Sequence, residues 1–357
     1  MSAYILLSIF IISFFLCVLD LKKEKKNNNF YFWSFIVFLI VISSIKDEYT
    51  SFDTANYIDS FNRAKSFSDF FSIETFRYEP GYTFLEFLIK DIFDDYSILF
   101  FIISFVSLTL LGNIIQKYSP YPFISLFIYI SLFYFKRDII TIRYGISCVF
   151  MLAGIMSFID KERIKSYIWI ILSFLFHYTA LSGLFFFLIY YFFKNRIHTL
   201  EIIIIYAFPF AILGITILSI IIKVQSYLPP FFQYAISKGI AYLGEEDSGG
   251  FKQVLLYIPF CFIIHYIKLL IYNRINVLYI TLLFAIFMMI ELNQVATFSR
   301  VNQMYLTSII ILVPLVLKQI KHKKNFLLLY SYTIILSMYM FVRMSFFNSG
   351  GFINVYW

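Results

Sequence analysis

Two arginines lie six residues apart where one long apolar run of the sequence ends and the next begins, at Arg137 and Arg143. An arginine side chain stays ionised when it is partly desolvated, and its planar fork of donors matches the oxygens of a phosphate. Gly145 follows closely and would let another helix or a ligand approach. The pair therefore predicts an anion site that could hold a diphosphate. The alternative is that each guanidinium pairs with an acid such as Asp138 or reaches toward water.

Three other side chains have types suited to acid–base chemistry. Asp53 and Glu79 are carboxylates in the densest polar stretch of the chain, and either could orient or deprotonate a hydroxyl group. Glu79 precedes Pro80, which fits the first turn of a helix, so Glu79 could instead stabilise the positive end of that helix. His177 could donate to a phosphate or act as an acid or base, or it could satisfy the backbone at a break in a helix.

The composition indicates which elements must position these residues. Hydrophobic residues make up 61% and charged residues 14% of the 357 positions, and the mean hydropathy is +0.81. These values exclude a soluble protein of ordinary composition. Apolar runs close to the roughly 20 residues that a spanning helix needs recur from Tyr4 to Val342. The sequence therefore predicts an all-α polytopic membrane protein, with residues 1–357 as a single integral membrane domain.

Eleven apolar segments are candidates for membrane-spanning helices. They are residues 3–19, 30–45, 96–115, 121–135, 139–159, 166–193, 200–222, 254–271, 277–292, 300–317 and 326–343. The first lacks a basic start and a cleavage site, so we expect it to be retained. Segment 166–193 would be about 42 Å long as one helix, more than a hydrocarbon core of about 30 Å. It is expected to tilt strongly or to break near His177. About 11–12 transmembrane segments follow, and a GT-C-like architecture is compatible with them.

Basic residues predict the topology, because lysine and arginine favour cytoplasmic loops. If segment 166–193 folds back as a hairpin, every strong lysine cluster lies inside and both chain ends lie outside, whereas a single crossing would place the cluster at 318–324 outside. We therefore predict the hairpin. Two outer-face loops result, residues 46–95 with an interfacial helix and residues 223–253. The net charge of +8 is divided among short clusters, so no nucleic-acid partner is expected.

The arginines have a different distribution from the lysines. Six of the nine lie on or near the predicted outer face: Arg63, Arg77, Arg137, Arg143, Arg300 and Arg343. This distribution runs against the usual topological bias and predicts an anionic ligand at the outer membrane interface.

The cysteines give no indication of a metal or a disulfide. Cys17, Cys148 and Cys261 lie inside apolar runs without metal-ligand spacing, and the sequence has no Gly-rich phosphate loop. We expect packing cysteines, no metal and no cofactor.

Five short motifs occur in order along the chain. They are Asp53 with Tyr57, Glu79-Pro80-Gly81-Tyr82, Arg143 opening a helix, Phe176-His177, and Arg300 followed by Tyr305 and Pro314. Together they resemble the EpsG family over residues 45–315, and the Glu-Pro-Gly-aromatic element is the most specific. One departure is Ser51-Phe52, which stands before Asp53 where the family is expected to have a glycine, so the shape of that loop could differ.

The resemblance implies a function. The EpsG family groups with Wzy-type polymerases of O-antigen of lipopolysaccharide, capsule and exopolysaccharide. Such a glycosyltransferase works at the periplasmic or outer face of the bacterial inner membrane. It transfers a glycan from undecaprenyl diphosphate to a new lipid-linked oligosaccharide repeat unit, without a nucleotide sugar or an obligatory metal. Membrane lipids, a flippase and a chain-length regulator are the partners that this function implies.

Joined to the residue types, the resemblance implies a role for each candidate. The catalytic candidates are Asp53, Glu79 and His177; the diphosphate-binding candidates are Arg77, Arg137, Arg143 and Arg300; the substrate-positioning candidates are Tyr57, Tyr82 and Tyr144. Two alternatives stay open, a lipid-linked oligosaccharide flippase or transporter and a membrane glycosyltransferase that uses a lipid-phosphate sugar. A transporter should carry charge along a cavity reaching both faces, whereas these arginines gather on one side, which favours an enzyme.

Overall fold

The computed structural model describes residues 3–21, 28–64, 78–212, 273–291 and 296–342, together with positions 220, 223, 227, 257–259, 261 and 265. All regular structure among the described residues is helical, and it divides into two compact units. The first unit comprises residues 1–178 and 313–357, and the second comprises residues 179–312.

The helices of the first unit are α1 (Ala3–Leu21), α2 (Asn28–Ser44), α3 (Phe52–Arg63), α4 (Pro80–Phe93), α5 (Tyr96–Tyr118), α6 (Pro122–Tyr129, continuing to Ile140), α7 (Ile142–Ile159) and α8 (Arg163–Phe176). Those of the second unit are α9 (Gly183–Phe193), α10 (Ile197–Ile212), α11 (Asn273–Glu291) and α12 (Ala296–Leu306). Helix α13 (Ile309–Gln319) begins in the second unit and ends in the first, to which α14 (Lys323–Val342) belongs.

Six helices among the described residues are long and apolar enough to cross a membrane. They cover residues 4–21, 96–118, 142–159, 274–291, 299–319 and 323–342, with shorter apolar helices at 28–44, 178–193 and 197–209. The prediction of an all-α polytopic membrane protein is confirmed. Most of segment 254–271, most of the end of segment 200–222, most of the loop at 223–253 and the tail from Arg343 lie outside the described residues.

Segment 166–193 is broken at His177, as the sequence predicts. Helix α8 ends at Phe176, His177 is extended with φ −159° and ψ 124°, and a short 3₁₀ turn, Tyr178–Ser182, precedes α9. The break shortens each arm to less than a membrane crossing of about 20 residues. The hairpin itself stays a prediction, because α8 belongs to the first unit and α9 to the second.

The connection between segments 121–135 and 139–159 differs from the predicted short loop. Helix α6 continues as a π-helix over Ile130–Ile140 and ends at Thr141, whose N–H donates to the carbonyl of Lys136 at 2.8 Å. The wider i→i+5 pattern keeps the backbone of this polar stretch hydrogen-bonded in an apolar environment. Arg137 and Asp138 therefore lie within a helix and are buried.

Polar contacts connect the helix ends at one side of the first unit. Lys117 at the end of α5 forms a 2.7 Å ion pair with Asp160, which follows α7. The Asp20 carboxylate at the end of α1 accepts the Ile124 N–H at 2.8 Å, in the first turn of α6. Since α6 begins just after α5 ends, these contacts bring together the ends of α1, α5 and α7 and the start of α6.

Helices α3 and α4, from the loop predicted at 46–95, pack into the same core as the longer helices of the first unit. The core cluster contains Tyr57, Ile58, Phe61, Tyr82, Ile89, Leu99, Phe100, Ile103, Ile142, Ile146, Phe150 and Phe176. These side chains come from α3, α4, α5, α7 and α8. Helices α3 and α4, which lie in the loop predicted at 46–95, are thus part of the helical packing, and this packing positions their polar side chains.

Candidate functional site at the start of α7

An ion pair between Arg143 and Glu79 lies at the centre of the candidate site. Arg143 occupies the first turn of α7, and its Nη1 donates to Oε2 of Glu79, the residue directly before α4. The other carboxylate oxygen, Oε1, lies 3.4 Å from the backbone nitrogen of Tyr178, just after the break in α8. One carboxylate therefore links the starts of α4 and α7 to the end of α8. The Glu79 side chain is 6% exposed and that of Arg143 is 18% exposed, so the guanidinium keeps some access from the surface.

Three tyrosines surround the guanidinium, and we call them the tyrosine cage. The carbon Cζ of Arg143 lies 4.0 Å from the ring centroid of Tyr78, 5.4 Å from that of Tyr57 and 5.7 Å from that of Tyr82. The rings also pack on one another, with centroids 5.4–5.6 Å apart. Aromatic faces attract a cation, so the cage and Glu79 hold the guanidinium in a fixed orientation.

The Glu-Pro-Gly-aromatic motif builds this arrangement locally. Pro80 occupies the first turn of α4, where its missing N–H costs no hydrogen bond. A β-carbon at Gly81 would lie 2.8 Å from the carbonyl oxygen of Leu175, so only glycine lets α4 start this close to the end of α8. Tyr82 then enters the core with 0% exposure. The structural interpretation of Glu79 as a residue at the positive end of a helix is correct, but its side chain makes no cap hydrogen bond and pairs with Arg143 instead.

Arg137 and His177 form a second arm of buried polar groups. Arg137 is 1% exposed, and its Cζ lies 3.9 Å from the ring centroid of Phe133 and 5.6 Å from that of Tyr144. The Tyr144 ring in turn meets the His177 ring edge-on, with centroids 5.2 Å apart. Consecutive residues of α7 therefore contact two polar groups. Arg143 contacts Glu79, and Tyr144 contacts the second arm, Arg137 and His177.

Gly145 allows the close approach that its position in the sequence suggests. A β-carbon there would lie 2.5 Å from the carbonyl oxygen of Arg137, so the first turn of α7 packs directly on the π-helical backbone. The neighbouring Asp138 is also buried and accepts hydrogen bonds from the hydroxyls of Tyr129 and Ser107. The polar residues before α7 are thereby fixed by packing and by hydrogen bonds.

Asp53 lies at the edge of the tyrosine cage. It is half-buried in the first turn of α3, one turn before Tyr57 on the same helix face. Ser51 caps this helix in extended conformation, and its hydroxyl oxygen accepts the Thr54 N–H at 3.0 Å. A serine N-cap needs no glycine, which explains how the departure from the family pattern is accommodated.

Burial controls the protonation of two cage tyrosines. It raises the pKa of Tyr57, the charge of Arg143 opposes that shift and the charge of Asp53 adds to it. It also raises the pKa of Tyr82 well above the usual value, with a further contribution from the charge of Glu86. Both phenols therefore stay neutral at physiological pH and can act as hydrogen-bond donors. The hydroxyl of Tyr82 and Nε of Arg143 are buried, and neither has a hydrogen-bond partner among the described residues.

The structure does not relate two of the predicted site residues to this group. Arg77 lies outside the described residues. Arg300 is exposed in α12 and belongs to the second unit. The structure thus brings together Glu79, Arg143, Tyr57 and Tyr82 in one contact group, with Asp53 beside it, and Arg137, Tyr144 and His177 in another, while the roles assigned to all of them stay predictions.

Sequence reasoning missed two residues at this site. Tyr78 has the closest ring to Arg143, and Glu86 is a carboxylate with 2% exposure one turn after Tyr82. Tyr78 could have been found from its place beside Glu79. Glu86 could have been found as the one acid in an otherwise apolar stretch of α4.

Among the described residues, the donor atoms of one group of histidine, cysteine and acidic side chains are close enough together to hold a metal ion. This group is His198, Glu201 and His265, in the second unit.

Fold and site define an all-α polytopic membrane protein with a buried arginine–carboxylate–tyrosine cluster at the helix ends of its first unit. The sequence model of the EpsG family matches residues 29–356, so the chain belongs to this family, and the prediction from the motifs is confirmed. The chain is also similar to the amylovoran biosynthesis protein AmsC of Erwinia amylovora, with 24% identity over 215 residues. That match covers 58% of this chain and 57% of the relative, so the chain spans little more than half of the relative's length. No solved structure matches the chain.

Proposed function

We propose that this protein polymerises an extracellular or surface polysaccharide. In this proposal it transfers a glycan chain from undecaprenyl diphosphate to a new lipid-linked repeat unit, at the outer face of the bacterial inner membrane. Membership of the EpsG family supports a role in polysaccharide polymerisation in general, and so does the similarity to an amylovoran biosynthesis protein.

The observation that carries the proposal is the orientation of Arg143. Its guanidinium is held by a carboxylate and three aromatic rings at the start of a spanning helix, yet it keeps partial exposure. A preorganised cation in a largely apolar site stabilises growing negative charge much better than a cation in water does. The leaving diphosphate of a lipid carrier is such a charge, and it lies at membrane-interface depth.

The Arg143–Glu79 pair suggests how binding and chemistry are coupled. A diphosphate that contacts Arg143 competes with Glu79 for the same guanidinium donors. Arg143 then binds the phosphate, and the released Glu79 carboxylate can accept a proton from the acceptor hydroxyl. Two buried donors beside this pair, Nε of Arg143 and the hydroxyl of Tyr82, have no hydrogen-bond partner among the described residues, so a phosphate oxygen that reached them would satisfy them.

The transfer step is then balanced. The acceptor hydroxyl oxygen forms a bond to the anomeric carbon of the carrier-linked sugar, and the bond from that carbon to the phosphate oxygen breaks. The proton passes to Glu79, and undecaprenyl diphosphate leaves with the electron pair. Arg143, supported by Arg137 and His177 from the second arm, stabilises the leaving group, while Asp53 is the alternative base.

The experiment complements a deletion strain with Arg143→Ala, Arg143→Lys or Glu79→Gln at equal expression and compares the polysaccharide ladders. We expect the loss of this charge-stabilising group to reduce polymerisation about 100-fold or more, so ladders shorten to one or a few repeats. Arg143→Lys should also give a shortened ladder, because an ammonium group cannot reproduce the planar fork of donors or the stacking on tyrosine.

Arg63→Lys is the matched control, because Arg63 also lies in the outer loop but makes a solvent-exposed pair with Asp59. It should give a normal ladder. Single repeat units that accumulate on the outer surface indicate a blocked polymerase, whereas accumulation inside indicates a flippase. Full-length ladders from all three site variants would exclude the proposed mechanism.

A further inference from the structure

The second unit contains a polar cluster that the polymerase proposal does not use. His198 and Glu201 lie one turn apart at the start of α10, with Nδ1 of His198 2.8 Å from Oε2 of Glu201. His265 comes from a different part of the chain, and its Nδ1 lies 3.1 Å from the same oxygen. The same nitrogen of His265 lies 3.2 Å from Oε1, so both imidazoles contact the Glu201 carboxylate and share its Oε2.

The other carboxylate oxygen is oriented by a third helix. Tyr279 of α11 donates its hydroxyl proton to Oε1 of Glu201 at 2.8 Å. Hydrogen bonds of this kind to the second atom of a ligand fix the orientation of metal-binding side chains. The hydrogen bond from Tyr279 therefore restrains the Glu201 carboxylate where it contacts the two histidines.

The spacing of the donor atoms suits a small divalent ion. One donor atom from each of His198, Glu201 and His265 lies within 4.8 Å of the others. Ligands of a tetrahedral zinc ion lie about 2.0–2.2 Å from the metal and hence about 3.4 Å from one another. The two nitrogen–oxygen distances, 2.8 and 3.1 Å, would have to lengthen by about 0.6 and about 0.3 Å to reach that value.

We propose that His198, Glu201 and His265 bind a divalent transition-metal ion of the Zn²⁺ class. Two imidazoles and one carboxylate form a donor set that such ions prefer, and three protein ligands leave a coordination position open. The side chains of His198 and His265 are more than half exposed, which gives the ion a path of entry. Beside them lies a cavity of about 400 Å³ lined by Glu201, His265 and Tyr279 and otherwise mainly by apolar side chains, which leaves room at the open position.

Such an ion would join the start of α10 to the segment that contains His265. Metal binding to the folded state alone adds to stability in proportion to the logarithm of the free-metal concentration relative to the dissociation constant. The sequence predicts no metal site, because His198 and His265 are far apart along the chain and follow no known ligand spacing. The proposal concerns a structural or regulatory ion, and it stands independently of the polymerase reaction.

The test uses the full-length protein, purified in detergent with a histidine-free affinity tag and stripped with EDTA. Zn²⁺ is titrated by calorimetry, and thermal unfolding is measured with and without Zn²⁺. Co²⁺ is added separately, because its visible absorption reports the number of nitrogen and oxygen ligands. We expect one Zn²⁺ per chain, an increase in melting temperature and a Co²⁺ spectrum of four- or five-coordinate geometry.

The double variant His198→Ala/His265→Ala should bind Zn²⁺ at least about 100-fold more weakly and lose the thermal shift. Tyr279→Phe, which removes only the orienting hydrogen bond, should weaken binding about tenfold and provides a test with little risk to folding. His322→Ala is the matched control, since His322 is exposed outside the cluster, and it should bind like the wild type. Absence of stoichiometric binding, or equal binding by the wild type and the double variant, would overturn the proposal.

Discussion

The backbone of Gly81 lies so close to Leu175 that a β-carbon on Gly81 would be 2.8 Å from the Leu175 carbonyl oxygen. This contact fixes the start of α4 against the end of α8. Because Glu79 lies two residues before Gly81 and His177 two residues after Leu175, the same contact sets the distance between the carboxylate and the broken helix. A glycine with no chemistry of its own thus determines the geometry of the proposed site.

Gly81→Ala should displace α4 and separate Glu79 from Arg143. Insertion of a methyl group into a tight backbone contact costs about 1–3 kcal/mol, so we expect a lower melting temperature and a shortened polysaccharide ladder. Gly112→Ala is the control, because the atoms nearest its β-carbon would be side-chain and not backbone atoms, the ring edge of Trp33 at 3.1 Å and Ile36 at 3.6 Å, between α2 and α5. It should keep the ladder. An unchanged ladder for Gly81→Ala would show that the α4–α8 contact does not position the site.

The Arg143–Glu79 pair should contribute to stability as a coupled unit. Removal of one partner leaves the other buried and uncompensated, at a cost of about 3–5 kcal/mol, whereas removal of both leaves neutral groups. In a double-mutant cycle of Arg143→Gln and Glu79→Gln, measured by unfolding in detergent, we expect a coupling energy of about 1–3 kcal/mol. The exposed Arg63–Asp59 pair supplies the comparison and should couple by about 0.5 kcal/mol or less. Equal coupling energies in the two cycles would contradict the conclusion that Arg143 and Glu79 form a buried, energetically coupled ion pair.

We expect Tyr78 to contribute to polymerisation through the face of its aromatic ring and not through its hydroxyl. Tyr78→Phe keeps the aromatic face 4.0 Å from Arg143 and should retain most of the polymerisation activity. Tyr78→Ala removes a cation–π contact of about 1–2 kcal/mol and opens the cage, so its activity should fall about tenfold or more. Ladder length at equal expression distinguishes the two variants. If Tyr78→Phe were as defective as Tyr78→Ala, the hydroxyl and not the ring would be the important group.

The predicted topology can be tested by cysteine labelling. In a chain with its three native cysteines replaced, Asp91→Cys, at an exposed position of α4, should react with a membrane-impermeant maleimide added to intact spheroplasts. Asn195→Cys, in the exposed turn before α10, should react only after permeabilisation, because the hairpin model places it inside. Labelling of Asn195→Cys in intact cells would mean that segment 166–193 crosses the membrane once.

The sequence predicts the helices well because the backbone N–H and C=O groups of an apolar run in lipid must hydrogen-bond to one another, and a helix achieves this. The break at His177 follows from the excess length of one run, and Pro80 marks the start of α4. The π-helix before α7 could not be predicted, because the charged Lys136-Arg137-Asp138 stretch resembles a loop when its burial against neighbouring helices is unknown.

The contacts within the site could not be predicted from the sequence, for a related reason. Arg143 and Glu79 are 64 residues apart, and no periodicity connects them. Asp138 was the closer acid along the chain, but its carboxylate accepts hydrogen bonds from Tyr129 and Ser107. The pairing of each charge depends on how the helix ends meet, which is a property of tertiary packing.

In the proposed polymerisation reaction, the ion pair of Arg143 with Glu79 also affects how the substrate reaches the site. Since the two charges cancel, the pair produces little field beyond a few ångströms, and free inorganic phosphate in solution is not drawn toward it. A lipid-anchored diphosphate does not need such steering, because diffusion in two dimensions already brings its headgroup to this depth. Under the proposed function, the pair thus favours a lipid-anchored substrate over soluble anions and keeps those anions from occupying the guanidinium between turnovers.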